Sequence, residues 1–192
     1  MPILKSFPST FIIPCSIFCG LTSYCPKRLS RPIKESLVIK KKIFYIPILN
    51  HTLKVQGQWE NGLLVRIKLD FAGKPENWAS SPLIHKFIGI LEGKLNRSSI
   101  PFKAKGTTFQ KTVWDATCRI PFGGLKSYSE IASEVGCGSP RAVGQALKSN
   151  PLPIIIPCHR VVGKKGNLVG FSCGLEIKAL LLQFEANKKT CR

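Results

Sequence analysis

The sequence predicts an α/β fold: a small antiparallel sheet with a covering helix, then a mainly helical unit that contains a helix-turn-helix. Three features carry that prediction. Residues 43–70 alternate between apolar and polar and double back at a turn. From Ser81 onward apolar residues recur every three and four positions. A glycine turn separates two short helical patterns between Ser127 and Leu147. With 192 residues, 44% hydrophobic and 20% charged, the chain has the apolar content for a buried core. That excludes a disordered tail, a collagen-like chain and a disulfide-stapled miniprotein.

The sheet comes first. Thr52-Leu53-Lys54-Val55 and Val65-Arg66-Ile67-Lys68-Leu69-Asp70 place apolar side chains on one face and polar ones on the other. Asn61-Gly62 lies between them, and a two-residue hairpin favours such a pair because both positions need positive φ. Ser81-Pro82 then opens a helix, with serine as the cap and proline at the first helical position. Its apolar stripe is Ile84, Phe87, Ile88, Leu91 and Leu95. Asn96–Lys105 is polar, contains Pro101 and reads as a linker.

The helical unit follows. Thr107-x-x-Gln110 and Ser127-x-x-Glu130 are capping boxes, the first serving Phe109, Val113 and Ala116, the second Tyr128, Ile131, Ala132 and Val135. Ile120–Gly124 breaks the first helix, and Gly136-Cys137-Gly138 turns the chain after the second. Ser139-Pro140 opens a third helix carrying Arg141, Val143, Ala146 and Leu147, which Asn150-Pro151-Leu152-Pro153 ends. Ile154–Ile156 and Val161–Gly163 read as buried strand-like runs, interrupted by Pro157-Cys158-His159-Arg160. Leu175 begins the last helix, with Ile177, Leu180, Leu181 and Phe184 on its apolar stripe and Glu185 at the edge.

The charge is lopsided. Lys and Arg total 29 against 10 Asp and Glu, a formal +19. Such a chain meets a polyanion, nucleic acid or an anionic membrane surface. Residues 1–42 form a basic leader, eight basic residues against one acidic; the other 150 residues still hold 21 against nine. In the leader Lys5 precedes an apolar stretch from Phe7 to Leu21, broken by Pro8 and Pro14. It is too short and interrupted for a membrane span and lacks a small-x-small cleavage site. A disordered leader and a mis-called start are both consistent with it. The eight cysteines repeat no compact disulfide framework. Cys15, Cys19 and Cys25 with His51 match no strong zinc spacing, so no metal is expected.

Cys158 stands out chemically. A thiolate is the nucleophile, and a neighbouring His or Arg promotes it. Neighbours on extended backbone point to opposite faces, so Cys158 and His159 need a turn or a bridging water to share a proton, and Pro157 favours a departure from regular strand. His159 in turn needs a carboxylate to orient its ring. Glu176 leans toward solvent by helical phase, whereas Glu185 borders the buried face and is the better candidate. Taken alone, the Cys-His pair reads more readily as a core cysteine, with Glu185 an unrelated surface charge.

The pair is not alone. Pro157-Cys158-His159-Arg160-Val161-Val162-Gly163 resembles the active-site signature of the O6-alkylguanine-DNA alkyltransferases, or methylated-DNA–protein-cysteine methyltransferases. The resemblance continues through Gly106-Thr107-x-Phe109-Gln110-x-x-Val113-Trp114, Ile120-Pro121-Phe122-Gly123, Ser127-Tyr128-x-Glu130-Ile131-Ala132 and Arg141-Ala142-Val143-Gly144-x-Ala146. It runs on through Asn150-Pro151 and Gly174-Leu175-x-x-Lys178-x-x-Leu181-Leu182-x-x-Glu185. It is dense over 106–185, holds only in outline over 43–105, and leaves 1–40 without a counterpart.

The resemblance implies a ribonuclease-H-like N-terminal domain over 43–100 and a winged-helix-like C-terminal domain over 101–192. It implies repair of double-stranded DNA by flipping an O6-alkylated guanine out of the stack. The alkyl group would move irreversibly onto Cys158, once per molecule, with O4-methylthymine a lesser substrate. His159 would be the base, acting through water, Glu185 its orienter, and Asn150 the brace of the active-site turn. Arg141 would fill the space left by the flipped base, Tyr128 would assist its rotation, and Ala142, Gly144 and Arg160 would lie against DNA. Val161, Phe171 and Ser172 would line the guanine pocket. No cofactor is implied, and the protein would be a cytoplasmic monomer that does not bind membrane. Phe171 stands where tyrosine is usual, Cys173 replaces the first of two glycines, and Gly124 replaces a longer side chain. An inert DNA-binding module, a thiol hydrolase and a secreted protein are the competing readings. None of them requires the whole set of Pro157–Arg160, Arg141 and Glu185.

Overall fold

The computed structural model describes residues 38–73 and 81–190. The leader up to position 37, with Cys15, Cys19 and Cys25, lies outside the described residues. Three strands, β1 (Ile39–Ile48), β2 (His51–Glu60) and β3 (Leu63–Ala72), form an antiparallel meander in the order β1-β2-β3. Strand β1 begins four residues before the expected sheet boundary at 43, so Lys40, Lys41 and Lys42 belong to the sheet rather than to a leader. The hairpin falls on Asn61-Gly62, with φ of 48° and 82°. This left-handed pair matches the twist of the flanking strands. Alternation sends Phe44, Ile46, Leu53, Val55, Ile67 and Leu69 inward.

Helix α1 (Pro82–Leu91) covers that inner face, its Phe87 ring packed 4.9 Å from Phe44. Ser81 caps it by accepting from the Ile84 N–H. The helix ends before Leu95. Gly93 takes φ 64° and the chain folds back, so the Leu95 side chain lies on Gly89 instead of extending the stripe. The expected linker is partly structured. Arg97–Ser99 makes a 3₁₀ turn, Ile100 is buried, and Phe102 pairs with Leu64 at the start of β3.

Four helices complete the chain: α2 (Thr108–Cys118), α3 (Tyr128–Glu134), α4 (Pro140–Lys148) and α5 (Leu175–Thr190). Both capping boxes form, at Thr107/Gln110 and Ser127/Glu130, and Ser139 caps α4 through the Ala142 N–H. Gly136, at φ 67°, makes the turn between α3 and α4. The buried Trp114 indole donates to the Ala146 carbonyl and ties α2 to α4. Lys126–Ser127 (β4) and Val161–Val162 (β5) form a short parallel pair. Ile154–Ile156 is buried as expected but is a turn, not a strand, and Ile154 takes φ 77°. Proline on both sides denies that segment a ladder. A continuous apolar core runs from Phe44 through Phe184, and the Ile67 N–H donates to the Pro151 carbonyl, hanging the next segment from β3.

Candidate active site

Pro157 breaks the extended chain, and Cys158–Arg160 closes a 3₁₀ turn. This is the departure from strand that Cys158 and His159 needed in order to serve one site. The Cys158 backbone N–H turns back to the Ile156 carbonyl at 2.8 Å. Asn150 fixes the loop from below: its amide donates to the Ile156 carbonyl at 3.0 Å and to Cys158 Sγ at 3.0 Å, while its Oδ1 accepts from Leu152 N–H at 2.9 Å. A buried carboxamide that uses its donors and its acceptor in this way specifies one loop geometry.

Behind the thiol lies a buried polar cluster. His159 Nε2 is 2.8 Å from Glu185 Oε1, and both side chains are 1% exposed. Arg160 grips the same carboxylate with Nε and Nη2 and donates through Nη1 to the Ile120 carbonyl. The Gly123 N–H gives Glu185 a further donor. Burial alone would raise Glu185, but His159 and Arg160 hold its carboxyl down at about 2. Burial lowers His159 despite the carboxylate beside it. The two directions agree: a neutral imidazole donates from Nε2 to an ionised carboxylate, which leaves Nδ1 as the acceptor. Nδ1 is buried and has no hydrogen-bond partner among the described residues. Burial pushes the Cys158 thiol up to about 11, with the Asn150 hydrogen bond and the Lys178 charge opposing and the Cys173 charge adding to the rise. The resting group is therefore a thiol, which needs a base before it can act.

On its other side Cys158 opens into a cavity of about 680 Å³ between α3, α4 and residues 169–172. Tyr128, Arg141, Gly144, Phe171 and Ser172 line it. The structure thus brings five of the residues expected at DNA or in the pocket to the thiol. Three stand apart. Val161 is fully buried behind the cavity, Ala142 is half-buried and outside its lining, and Arg160 spends its guanidinium on Glu185 and Ile120 instead of facing outward. Cys173 is half-buried against the core, next to the lining.

A protein of Mycobacterium leprae, a methylated-DNA–protein-cysteine methyltransferase, is 43% identical over 115 residues, 59% of this chain and 70% of that one. The chain belongs to the methylated-DNA–protein-cysteine methyltransferase family. The family profile described as 6-O-methylguanine DNA methyltransferase, DNA binding domain, matches residues 108–187. The inducible methyltransferase of Bacillus subtilis is 49% identical over 96 residues, 50% of this chain, which spans about half, 54%, of that relative's length. Among solved structures, the O6-methylguanine methyltransferase of Mycobacterium tuberculosis superposes with a TM-score of 0.62 at 30% identity, covering 79% of this chain and 94% of that one. A structure of the M. tuberculosis protein in complex with DNA gives 0.58 at 32%, covering 76% and 93%.

The family's sequence pattern includes a residue to which no role was assigned above. Lys178 is fully buried, and its ammonium donates to the Val161 carbonyl at 2.6 Å and the Val169 carbonyl at 2.8 Å, 5.7 Å above the Tyr128 ring. Burial lowers its pKa to about 8. The Tyr128 hydroxyl also donates to the Val169 carbonyl, so lysine and tyrosine together fasten residues 169–170 across the cavity. A signal was present in the sequence: Lys178, Leu181 and Glu185 fall at i, i+3 and i+7, one helical face.

Proposed function

We propose that this protein repairs double-stranded DNA by moving the alkyl group of an O6-alkylated, chiefly O6-methylated, guanine onto Cys158. The observation that carries this reading is the placement of Cys158 Sγ. It faces a cavity on one side, and a sealed His159–Glu185 pair stands behind it. A cavity of about 680 Å³ falls in the range of small-molecule sites and suits a base swung out of the stack.

The chemistry follows from the protonation states. His159 Nδ1, the free acceptor, takes the thiol proton through one water, and Glu185 steadies the imidazolium that forms. The thiolate attacks the alkyl carbon. An S–C bond forms as the C–O bond breaks, the electron pair leaves on the guanine O6, and the proton returns to the guanine. The product is a thioether with no leaving group to reverse the step, so each molecule acts once. Asn150 braces the turn and solvates the developing sulfur charge. Lys178 supplies a buried positive charge that favours the thiolate.

The DNA side is read from the cavity rim. Arg141, exposed at the start of α4, fills the gap left by the flipped base. Tyr128 assists its rotation, and Ala142 and Gly144 let the duplex approach closely. Phe171, Ser172 and the Val161 backbone contact the guanine, and O4-methylthymine is the lesser substrate. Arg160 acts from behind as a positioning residue. Residues 39–100 form the supporting, ribonuclease-H-like unit and 101–192 the winged-helix-like unit that binds DNA and carries the acceptor. The protein works as a cytoplasmic monomer without a cofactor. No described helix is long and apolar enough to cross a membrane.

Intact and peptide mass spectrometry after mixing with duplex DNA carrying one O6-methylguanine tests this. The expected result is one methyl, on the Cys158 peptide only, capped at one equivalent and absent in Cys158→Ser. Binding without mass gain would leave an inert DNA-binding module.

A further inference from the structure

The outer face of the sheet is a second charged surface, on the side opposite the helices. Cross-strand register gives its three central rows, Lys41–Gln58–Arg66, Ile43–Gln56–Lys68 and Tyr45–Lys54–Asp70; the next row outward, Ile39–Glu60, adds a carboxylate that Lys105 pairs. The nine central positions hold four cations and one carboxylate. Lys41, Arg66 and Lys68 are exposed, and among the described residues none of the four cations is in an ion pair. The carboxylate, Asp70, sits at the corner, where it accepts from the Phe71 N–H. Strands lie about 4.8 Å apart and alternate residues about 6.8 Å apart, so the cations fall on a grid roughly 10 Å wide. Ile43, 57% exposed, and Tyr45 stand among them. A salt-bridged surface would mix the two signs, and a solubilising one would show no such segregation. The inner face of the same strands is covered by α1 and the core, so this patch looks away from the cavity that holds Cys158.

We propose that this face is a second contact for the phosphate backbone of duplex nucleic acid, separate from the α4 rim. The inference rests on the DNA reading above for its partner and on the sheet register for its surface. Four cations spaced by Gln56 and Gln58 fit a row of phosphates better than the charge-depleted heart of a protein interface. The contact is sequence-independent. It adds affinity for undamaged DNA and makes that affinity more salt-dependent, because each neutralised phosphate releases counterions.

The experiment measures the affinity of the full chain for an undamaged duplex across a salt series. It compares the wild type, Lys41→Gln/Arg66→Gln/Lys68→Gln, and a charge-matched control, Lys86→Gln/Lys103→Gln/Lys111→Gln. Each lost phosphate contact flattens the plot of log affinity against log salt by about 0.9. The sheet variant is expected to lose about 2 to 3 from the slope and the control less than 1. Equal losses in both variants would reduce the patch to net charge and overturn the proposal. So would tighter binding of the wild type to anionic lipid vesicles than to duplex, which would hand the face to a membrane. Methyl transfer to Cys158 from a short O6-methylguanine duplex is followed in parallel. An unchanged slope with intact transfer sinks the surface alone. A flattened slope without transfer sinks the repair reading and keeps the surface.

Discussion

The sheet and the turn from Asn150 to Gly163 are both buried, yet different forces hold them. In β1–β3 two antiparallel ladders hold the backbone, broken by one irregularity at Gln58/Trp59, and apolar area does the rest. In the turn the backbone closes on itself in short steps, the N–H groups of Ile156, Cys158, Arg160 and Val161 reaching the carbonyls of Leu152, Ile156, Pro157 and Cys158. Asn150 adds bonds to the Leu152 N–H and the Ile156 carbonyl and Lys178 adds one to the Val161 carbonyl, while Arg160 and Glu185 tie the turn to the Ile120 carbonyl and the Gly123 N–H. Stability in the sheet is therefore spread over many small contacts, while the turn depends on a few polar side chains, each serving several groups. Losing a contact in the first leaves a cavity. Losing one in the second leaves a buried charge or carbonyl with nothing to bond.

The largest expected effect sets the two regions side by side. Glu185→Ala strands His159 and Arg160 in the interior, a loss of about 3–5 kcal/mol. Phe87→Ala removes a fully buried ring from beneath the sheet, also about 3–5 kcal/mol. Thermal unfolding should fail to distinguish them. Methyl transfer per folded molecule should: Phe87→Ala keeps the wild-type rate, and Glu185→Ala loses at least about 100-fold, the lower range for a displaced general base. Acid separates the regions as well. His159 and Glu185 both have folded pKa values below their unfolded ones, so each contributes stability that is whole above its unfolded value and fades as pH falls. For Glu185 the loss runs from about 4.5 down to about 2, and for His159 it begins below about 6.5. Hydrogen exchange along that descent should open residues 150–163 before β2. Simultaneous opening would mean the turn is no weaker than the sheet.

A middle-sized effect belongs to Lys178. Lys178→Met keeps the length of the side chain but leaves the Val161 carbonyl without its buried donor, about 1–3 kcal/mol, while the Val169 carbonyl keeps the Tyr128 hydroxyl. Duplex affinity at low salt should stay near wild type, since the ammonium is out of reach of DNA. The transfer rate should fall, and it should not recover in Lys178→Arg, whose fork does not fit a site built for one small ammonium. Full recovery in Lys178→Arg would show that only the charge matters and that the tie between β5 and residues 169–170 is incidental.

What the sequence revealed divides along the same line. The alternation of Val65–Asp70, the Asn61-Gly62 turn and the two capping boxes are local patterns, and each became the element it announced. Cys158, Asn150 and Glu185 were legible through the family's motif, and the structure brings them within a few bonds of one another. Two things were not legible. Apolar content made Ile154–Ile156 look like strand, but burial without a ladder partner gives a turn as readily, and the flanking prolines decide it. The resemblance implies that Arg160 lies against DNA. No local pattern says that α5 returns a carboxylate to it from 25 residues away. Leu95 failed for the same reason in reverse: periodicity ran past Gly93, and the glycine won.

The smallest effect tests the claim that the sheet is locally encoded. Gly62 takes φ 82° with nothing within 4 Å of where a Cβ would sit. Gly62→Ala therefore meets no clash and pays only the left-handed backbone cost, about 1 kcal/mol. Because Asn61 beside it already holds φ 48°, the turn keeps its type and the β2–β3 register survives. Residues 150–163 hang from that register through the Ile67 N–H and the Pro151 carbonyl. A hairpin that is weakened but in register should leave the Cys158 transfer rate unchanged. A one-residue slip would turn Ile67 outward and take Pro151, and with it Asn150, out of place. A small fall in melting temperature with an unaltered transfer rate is the expected result. A loss of transfer larger than the loss of stability would show that the sheet sets the geometry of the turn as well as supporting it.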